Sequence, residues 1–327
     1  MKNIAVMAWW DSSEHDVSLR SAENIVSTLK TIAKENNYRI FLIECSWINW
    51  VYISEDWKKF EVDKNDFSLN LNWERINFNF AYIIIHWTPW ENGKMQWYLD
   101  MMNVPYSTWW VLNSSIWFNK HASKVLLQSY WVKAPKWILL YQWAPVSSDE
   151  IVENLWLPVF VKPNEWWSSF WITKVKTKED LLCAIDKAFS QWSQVIIEQA
   201  LIGREFTCWV AEIDWEITPL PVTEIKTNRE FFDYEAKYLW NSQEITPADI
   251  NEELKNYIWN TSKLIYCKMN CKWIVRIDYI YSEGVLYFIE INLTPGMTDS
   301  SLIPQQLSVW GYSLEKIIKT QIEQSIH

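Results

Sequence analysis

The chain has 327 residues, of which 49% are hydrophobic and 21% charged, a composition typical of a soluble globular protein with two or three domains. Its formal net charge of −10 argues against binding to a nucleic-acid backbone as the main activity. The sequence shows no run of about 18 apolar residues and no signal-peptide pattern, which argues against a membrane span, and its five scattered cysteines suggest reduced thiols in the cytoplasm.

The first part of the chain predicts a parallel, nucleotide-fold-like domain. Ile4–Ala8 has the pattern of a buried strand, and Ser18–Asn36 has the apolar spacing of a helix. Further strands are predicted at Tyr38–Glu44 and Ala81–His86. A β-loop-α-β opening of this kind is typical of α/β folds with a parallel sheet.

The rest of the chain predicts alternating helices and strands and then an antiparallel sheet, with a loop from Lys226 to Ile245. The predicted helices are Asn119–Tyr130, a segment near Lys178–Phe189 and one around 249–268. The predicted strands are Trp137–Tyr141, Leu157–Lys162, Gln194–Gln199, 204–213, 216–223 and the final hairpin, Trp273–Tyr281 with Val285–Asn292.

Twenty-six tryptophans accompany only five glycines, and many of these tryptophans stand where a chain needs glycine. Asp214-Trp215 separates two strand-like runs, and Asn72-Trp73 and Asp56-Trp57 have similar flanks. Asn-Gly and Asp-Gly are the strongest short hairpin signals because both central residues need a positive φ. Tryptophan has a Cβ atom and adopts a positive φ only at a cost.

We therefore hypothesise that the gene uses UGA codons for glycine and that these codons have been translated as tryptophan. The pairs Trp9-Trp10, Trp109-Trp110 and Trp166-Trp167 fit this hypothesis, because they lie in polar loops and not in apolar stripes. A few tryptophans, such as Trp50, are expected to be genuine. The alternative is a truly tryptophan-rich protein.

The last hairpin predicts a metal site. Arg276 and Asp278 are two residues apart, so a strand places both on one face, and the same rule aligns Glu290 with Asn292. A tight turn makes the two strands neighbours and brings three oxygen ligands together, a set that suits Mg²⁺. The alternative is a solvated face of an edge hairpin, with Arg276 in salt bridges.

Two lysines and a strand end suggest a nucleotide site beside this hairpin. Lys162 ends a strand and precedes the segment 164–171, which becomes a Gly/Ser loop over phosphates if its tryptophans are glycines. Lys120 opens a helix, and Glu198 ends a strand where a carboxylate can accept hydrogen bonds from ribose hydroxyls. Each residue alone suits a solvated surface, whereas together with a Mg²⁺ triad they favour nucleotide binding.

These pieces, in this order, resemble the D-alanine–D-alanine ligase family of the ATP-grasp superfamily over essentially the whole chain. The segments that carry the resemblance are the opening loop Ala8–Ser18, His86-Trp87 before Glu91-Asn92-Gly93, Lys162-Pro163 with Trp166-Trp167-Ser168-Ser169, Asp233–Tyr238, Arg276-Ile277-Asp278, and Glu290–Thr298. The departures from the family pattern are nearly all tryptophans at family glycines, which supports the codon hypothesis.

The resemblance implies an α/β (α+β) ATP-grasp fold with a Rossmann-like parallel-sheet domain at the amino terminus. The implied domains are an N-terminal substrate domain (1–108), a central ATP-grasp subdomain (109–197) and a C-terminal ATP-grasp subdomain with the Mg²⁺ site (198–327). The implied ligands are ATP, two Mg²⁺ ions (Mn²⁺ being an alternative) and D-alanine, and the implied assembly is a cytoplasmic homodimer.

The resemblance also implies a role for each site residue. The implied ATP-binding residues are Lys120 and Lys162 for phosphates, Lys237 from a mobile loop, Ser169, Phe288, Glu198, Gln199, Ala200 and Leu201 around adenine, and Glu205 for ribose. The implied metal ligands are Asp278, Glu290 and Asn292. The implied substrate and catalytic residues are Glu14, His86, Ser168, Tyr238, Arg276, Gly296, Ser301 and Leu302.

In the reaction that the resemblance implies, one D-alanine is activated as an acyl phosphate and a second D-alanine attacks it, for peptidoglycan precursor synthesis. Tyr238 favours dipeptide formation, because a phenylalanine at that place accompanies D-lactate in this family. Two alternatives remain: a ligase for D-lactate or another carboxylate–amine pair, and a non-catalytic nucleotide-binding protein if the tryptophans are real.

Overall fold

The computed structural model describes residues 1–9, 15–85, 88–165, 171–227, 242–292, 306–307 and 309–326. The strands in these ranges are β1 (Lys2–Trp9), β2 (Tyr38–Ser46), β3 (Asn49–Ile53), β4 (Lys59–Asp63), β5 (Ser68–Leu71), β6 (Glu74–Asn77), β7 (Phe80–Ile84), β8 (Trp137–Tyr141), β9 (Val159–Pro163), β10 (Thr173–Val175), β11 (Gln194–Gln199), β12 (Arg204–Ile213), β13 (Glu216–Pro219), β14 (Thr223–Thr227), β15 (Ser242–Ile245), β16 (Ile274–Ser282) and β17 (Val285–Asn292). The helices are α1 (His15–Asn36), α2 (Lys94–Met101), α3 (Val111–Phe118), α4 (Lys120–Gln128), α5 (Ser148–Leu155), α6 (Leu181–Phe189), α7 (Glu252–Lys268) and α8 (Leu314–Ser325). None of the helices described is both long enough and apolar enough to cross a membrane.

The first sheet has the predicted parallel centre and an antiparallel extension, which the sequence analysis indicated only through the strand-like flanks of Asp56-Trp57 and Asn72-Trp73. Strand β1 lies between β2 and β7 and runs parallel to both, with α1 as the connection between β1 and β2. Strands β3 to β6 then continue the sheet from β2 as an antiparallel series, in the order β6-β5-β4-β3-β2-β1-β7. The central strand β1 shows no alternation of apolar and polar residues because both of its faces are buried.

The central and carboxy-terminal parts each form a sheet of their own. Strands β8 to β11 pair in the order β10-β9-β11-β8, with α6 packed on β9 and β11. Strands β12, β14, β15, β16 and β17 form the path β15-β14-β12-β16-β17, and β13 pairs with β12. The predicted loop from Lys226 to Ile245 is therefore wrong at its two ends, because Thr227 pairs with Ser242 in the antiparallel ladder of β14 and β15.

The last helix packs on the first domain. Ile317, Ile318 and Ile322 of α8 are buried in the same apolar cluster as Ile25 and Leu29 of α1. A buried hydrogen bond of 2.7 Å from the Tyr82 hydroxyl to Gln321 Oε1 joins β7 to α8. The core of the amino-terminal sheet is thus completed by residues from the far end of the chain.

The backbone of several turns adopts the conformation that favours glycine. Asn72 and Trp73 have φ values of 49° and 72°, and Asp214 and Trp215 have values of 51° and 69°. Both pairs link antiparallel strands, as expected for a hairpin turn whose two central residues need a positive φ. Trp57, with a φ of 62°, also has the predicted sign.

Other tryptophans show the same strain, and it occurs mostly on the surface. Positive φ values are also found at Trp47, Trp131, Trp156 and Trp273. The side chain of Trp73 is fully exposed, and among the described residues all but one of the seven positive-φ tryptophans are largely exposed. A large apolar side chain on a strained, solvent-facing turn contributes little burial, which favours glycine as the native residue.

The expectation that the tryptophan pairs avoid apolar packing is wrong for Trp109. Its side chain is fully buried in the carboxy-terminal core and contacts Trp117 edge to face, with the ring centroids 5.9 Å apart. The indole N–H groups of Trp109, Trp117 and Trp209 are buried, and none of them has a hydrogen-bond acceptor among the described residues. Buried indole N–H groups usually have a partner, so this packing has a free-energy cost.

Candidate active site

A buried carboxylate at the end of β11 lies against the lysine at the end of β9. Lys162 is opposite Ile196 in the antiparallel ladder, so Glu198, two residues farther along β11, shares its face of the sheet. The Nζ atom of Lys162 lies 2.8 Å from Oε2 of Glu198. Both side chains are buried. The strand ends named by the sequence analysis therefore form one charged pair inside the protein.

A third and a fourth charge reach the same place from α4. Lys124 Nζ lies 3.3 Å from Oε1 of Glu198, and Lys120, one turn earlier on the same helix, is also buried. We call Lys120, Lys124, Lys162 and Glu198 the buried lysine cluster. The sequence analysis missed Lys124, although its spacing of four residues from Lys120 places both on one helix face. The cluster carries more positive than negative charge, which suits an anionic ligand.

The protonation of this cluster follows from its burial and its charges. Burial tends to raise the pKa of Glu198, but the charges of Lys124 and Lys162 outweigh it and hold that pKa at about 2. Burial, followed by the nearby charge of Lys162, lowers the pKa of Lys120 to about 7, although Glu290 and Glu198 act in the opposite direction. Glu198 is therefore ionised near neutral pH, and Lys120 changes its charge there.

The amino-terminal end of α4 is fixed by side chains from β9 and the segment after it. Asn119 caps the helix, since its side chain accepts a hydrogen bond from the Ala122 N–H at 2.8 Å. The fully buried Asn164 accepts a hydrogen bond from the His121 N–H through Oδ1, and its backbone carbonyl accepts one from the Lys120 N–H. These contacts fix the start of α4 at Lys120. The sequence analysis did not identify Asn164 as part of the site.

The final hairpin has the predicted register. Arg276 lies opposite Asn292 and Asp278 lies opposite Glu290, so the four side chains share one face of β16 and β17. The pairing is irregular directly after Asp278, at a β-bulge. Irregularities of this kind often redirect side chains beside active sites. The two carboxylates and the amide are thus neighbours, as the sequence indicates.

Arg276 neutralises part of this face. Its Nε atom lies 3.1 Å from each carboxylate oxygen of Asp278, and its guanidinium is 3.9 Å from Oε1 of Glu290 and 5.7 Å from the centre of the Trp209 ring. The salt bridges that the alternative interpretation expected are therefore present. Within the described ranges, no group of three or more His, Cys, Asp or Glu side chains is placed to hold a metal. The oxygen donors here are two carboxylates and the Asn292 amide.

The other predicted nucleotide contacts lie between the central and carboxy-terminal sheets. Gln199 ends β11, and Ala200 and Leu201 begin the short connection from β11 to β12; all three residues are half-buried. Glu205 follows in β12, where it is opposite Ile280 of β16. Phe288 of β17 is buried, and Lys124 Nζ lies 5.5 Å from the centre of its ring. The connection between the two sheets thus adjoins the buried lysine cluster.

Several predicted site residues lie outside the described ranges, within residues 10–14, 86–87, 166–170, 228–241 and 293–305. They are Glu14, His86, Ser168, Ser169, Lys237, Tyr238, Gly296, Ser301 and Leu302.

Comparison with known proteins identifies the family. Residues 3–108 match the family model of the D-ala D-ala ligase N-terminus, and residues 126–323 match that of the D-ala D-ala ligase C-terminus. The chain belongs to the D-alanine–D-alanine ligase family. It is 41% identical over 323 residues to a D-alanine–D-alanine ligase of Bacteroides fragilis, covering 98% of each chain. It is 39% identical to that of Flavobacterium johnsoniae, covering 100% of each.

Solved structures of D-alanine–D-alanine ligases and related ligases have the same fold. D-alanyl-alanine synthetase A from Vibrio cholerae superposes with a TM-score of 0.88 at 26% identity, over 99% of this chain and 98% of the other. VanG D-Ala:D-Ser ligase from Enterococcus faecalis gives a TM-score of 0.86 at 26% identity, over 98% of each chain. The Bacillus anthracis D-alanine–D-alanine ligase complexed with ATP gives 0.77 at 26% identity, over 99% and 98%. The predicted ATP-grasp fold and the membership of a ligase family are confirmed.

Proposed function

We propose that this protein joins two D-alanine molecules into D-alanyl-D-alanine with ATP as the energy source, for peptidoglycan precursor synthesis. The observation that carries the proposal is the buried lysine cluster beside the Asp278–Glu290 pair, at the connection between the central and carboxy-terminal sheets. The full-length family match supports it, and a structural neighbour with the same activity in its name was solved complexed with ATP.

The proposed reaction has two steps. A carboxylate oxygen of the first D-alanine bonds to the γ-phosphorus of ATP while the bond from that phosphorus to ADP breaks, giving D-alanyl phosphate. The amine of the second D-alanine then bonds to the acyl carbon, and the bond from that carbon to phosphate breaks. The amine gives its proton to the departing phosphate as the peptide bond forms.

The residues of the described site have matching tasks. Lys120 and Lys162 bind phosphate oxygens and offset the negative charge that accumulates on them during transfer. Arg276, on the same face as Asp278, donates hydrogen bonds to the oxyanion of the tetrahedral intermediate, together with the backbone N–H of Gly296. Glu198, Gln199, Ala200 and Leu201 surround adenine with Phe288, and Glu205 accepts hydrogen bonds from ribose.

The hairpin residues fit a magnesium site. Mg²⁺ prefers oxygen ligands and is often bound by one or two carboxylates together with substrate phosphates, and Asp278, Glu290 and Asn292 offer such a set. We propose these three residues as ligands for two Mg²⁺ ions, with Mn²⁺ as a substitute. When bound, the ions neutralise phosphate charge. Arg276 holds Asp278 in place and tempers the repulsion between the two carboxylates.

The remaining assignments concern the two D-alanine substrates and the segments that close over the phosphates. We propose that Glu14 binds the ammonium of the first D-alanine and connects to Ser168 and Tyr238, and that His86 lies in the same substrate site. Ser301 and Leu302 bind the carboxylate of the second D-alanine. Ser169 and Lys237 contact the phosphates from segments that close over them.

We also propose an organisation for the whole protein. The first sheet falls within residues 1–108 and the third within 198–327, whereas β11 of the central sheet extends to Gln199, just past residue 197. This arrangement supports an N-terminal substrate domain (1–108) followed by two ATP-grasp subdomains (109–197 and 198–327). A cytoplasmic homodimer is the proposed assembly. The similarity to VanG, a D-Ala:D-Ser ligase, makes the identity of the second substrate a necessary part of any test.

The test is phosphate release from ATP with Mg²⁺, measured with and without D-alanine, with the product identified by mass spectrometry. Two versions are compared: the printed chain and one with glycine at the family-glycine tryptophans. D-alanine-dependent release of phosphate and formation of the dipeptide are expected in the glycine version. D-Serine and D-lactate are offered as second substrates in parallel. Nucleotide binding without ligation of any of these substrates would instead indicate a non-catalytic protein.

A further inference from the structure

Lys124 lies too deep to be a ligand of the nucleotide, yet it contacts both sides of the proposed site. Its side chain has no solvent-exposed surface. Its ammonium lies 3.3 Å from Glu198 Oε1 and donates a hydrogen bond of 3.1 Å to the carbonyl oxygen of Ile289. Glu198 belongs to the central sheet, whereas Ile289 belongs to β17 and directly precedes Glu290. One buried cation therefore joins the proposed adenine wall to the proposed metal strand.

The cost of this arrangement argues for a role beyond packing. Burial lowers the pKa of Lys124, and the charge of Glu198 offsets this only in part, so placing an ammonium here costs free energy. Apolar residues of similar volume commonly serve as well as a buried ion pair for stability. The face of the Phe288 ring adds a further favourable contact with the ammonium.

The charges of the buried lysine cluster show how Lys124 affects Lys162. Glu198 is shared between Lys124 and Lys162, with its two oxygens facing different lysines. With both lysines protonated, the three side chains together carry one net positive charge. Without Lys124, Glu198 would neutralise Lys162 completely, and a phosphate ligand would then meet a weaker positive potential.

We propose that Lys124 is a positioning residue of the nucleotide site, which keeps Glu198 from neutralising Lys162 and ties the adenine side of the cleft to the strand of Glu290. This inference rests on the proposed nucleotide site. It assigns Lys124 no contact with substrate. Its effect is transmitted through Glu198 and Ile289, so it should be visible in nucleotide affinity and not in affinity for D-alanine.

The test compares two variants made in the glycine version of the chain. Lys124→Met keeps a long unbranched side chain and removes its charge, whereas Lys124→Arg keeps the charge. ADP binding is measured by calorimetry, and the KM values for ATP and D-alanine are measured separately. We expect Lys124→Met to weaken ADP binding and raise the KM for ATP about ten- to a hundredfold, as for loss of a charge-assisted contact. The KM for D-alanine should change less than about twofold, and Lys124→Arg should recover part of the ADP affinity.

Lys30→Met, on the exposed face of α1, is the matched control and should leave all these values unchanged. Denaturant unfolding establishes that each variant is folded. If Lys124→Met does not fold, Lys124→Gln replaces it, because its amide still donates a hydrogen bond while the charge is lost.

Unchanged ADP affinity in a folded, uncharged variant overturns the inference, and so does an equal loss of affinity for ADP and D-alanine. Different results would contradict the proposed ligase function and the proposed role of Lys124. If the glycine version with Lys124 intact binds ADP but forms no dipeptide, this contradicts the ligase assignment and leaves the role of Lys124 open to the same ADP measurement. If that version binds no ADP, both proposals are contradicted.

Discussion

The backbone N–H of His121 donates a hydrogen bond of 2.9 Å to Oδ1 of Asn164, which joins the first turn of α4 to the end of β9. The Asn164 side chain also donates a hydrogen bond of 2.8 Å to Gln194 Oε1, and it is fully buried. Asn164→Ala should leave these groups unsatisfied and lower the free energy of unfolding by about 2 kcal/mol. It should also weaken ADP binding, because Lys120 begins the helix that Asn164 holds.

Denaturant unfolding and calorimetry check this prediction, with Asn154→Ala as the control. Asn154 is exposed on α5 and donates to the carbonyl of Glu150 within its own helix. Its removal should cost less than about 0.5 kcal/mol. Equal losses in the two variants would refute the positioning of α4 by Asn164.

The carboxylate of Asp278 is predicted to be essential for the metal-dependent step. Asp278→Asn removes one negative oxygen donor, so we expect activity to fall at least about a hundredfold and the Mg²⁺ requirement to rise. Phosphate release is measured over a range of Mg²⁺ concentrations. Glu283→Gln, an exposed change in the turn of the same hairpin, should behave like the unmodified protein. An unaltered Mg²⁺ profile in Asp278→Asn would show that Asp278 is not a metal ligand.

Lys120 should take up a proton when a nucleotide binds. Its pKa of about 7 in the ligand-free protein means that it is largely neutral near pH 8, and a phosphate beside it raises that pKa. Calorimetry of ADP binding in buffers of different ionisation enthalpy should therefore show uptake approaching one proton near pH 8. The contribution of Lys120 should shrink as the pH falls below about 7. Lys120→Met should remove this difference, whereas its persistence would assign the proton to another group.

The same pKa has a consequence for stability. Because the folded-state pKa lies below the ordinary value of 10.5, burial of the charged form costs free energy below a pH of about 7. That cost is relieved as the pH rises from about 7 towards 10.5. Unfolding measurements should therefore show Lys120→Met stabilised relative to the unmodified protein near pH 7, with the difference shrinking at higher pH.

The native protein should contain glycine at positions 73 and 215. Both residues have a positive φ in a two-residue turn, and both tryptophan side chains are exposed. In the printed chain, Trp215→Gly or Trp73→Gly should raise the free energy of unfolding by about 1 kcal/mol each, because the backbone strain is removed. Peptide mass spectrometry of the protein from its own cells gives the direct answer. Tryptophan at position 215 in the native protein would contradict the codon hypothesis.

Trp50 provides the opposite control. It is buried, and its indole N–H donates a hydrogen bond of 3.0 Å to the carbonyl of Trp47. Trp50→Gly should lower the free energy of unfolding by about 3 to 5 kcal/mol because it leaves a cavity. The same mass spectrometry should find tryptophan at this position.

Elements with strong periodicity were predictable from the sequence. Gln194–Gln199 and Trp137–Tyr141 have the bounds that their apolar runs indicate, and the register of Asp278 with Glu290 follows from strand alternation and a tight turn. The antiparallel strands β3 to β6 were indicated only as strand-like flanks of Asp56-Trp57 and Asn72-Trp73, and their bounds were not predicted because each strand has only four or five residues.

The candidate-site residues at strand ends were predictable from the sequence, whereas the residues that support them were not. Lys162 and Glu198 stand at strand ends, where a sequence motif can suggest a ligand site. Lys124 and Asn164 matter through partners that are distant in the chain, since Lys124 bonds to the carbonyl of Ile289, 165 residues away. Contacts of that kind depend on how the central and carboxy-terminal sheets meet, and local pattern carries no information about it.

The packing of α8 against α1 has a consequence for synthesis on the ribosome. The apolar faces of α1 and β7 remain partly uncovered until Ile317, Ile318 and Ile322 have left the exit tunnel, which happens only after the central and carboxy-terminal sheets have been synthesised. The core of the amino-terminal sheet is therefore incomplete while those two sheets are made. Premature termination anywhere before residue 314 would leave this surface open to aggregation and to chaperones.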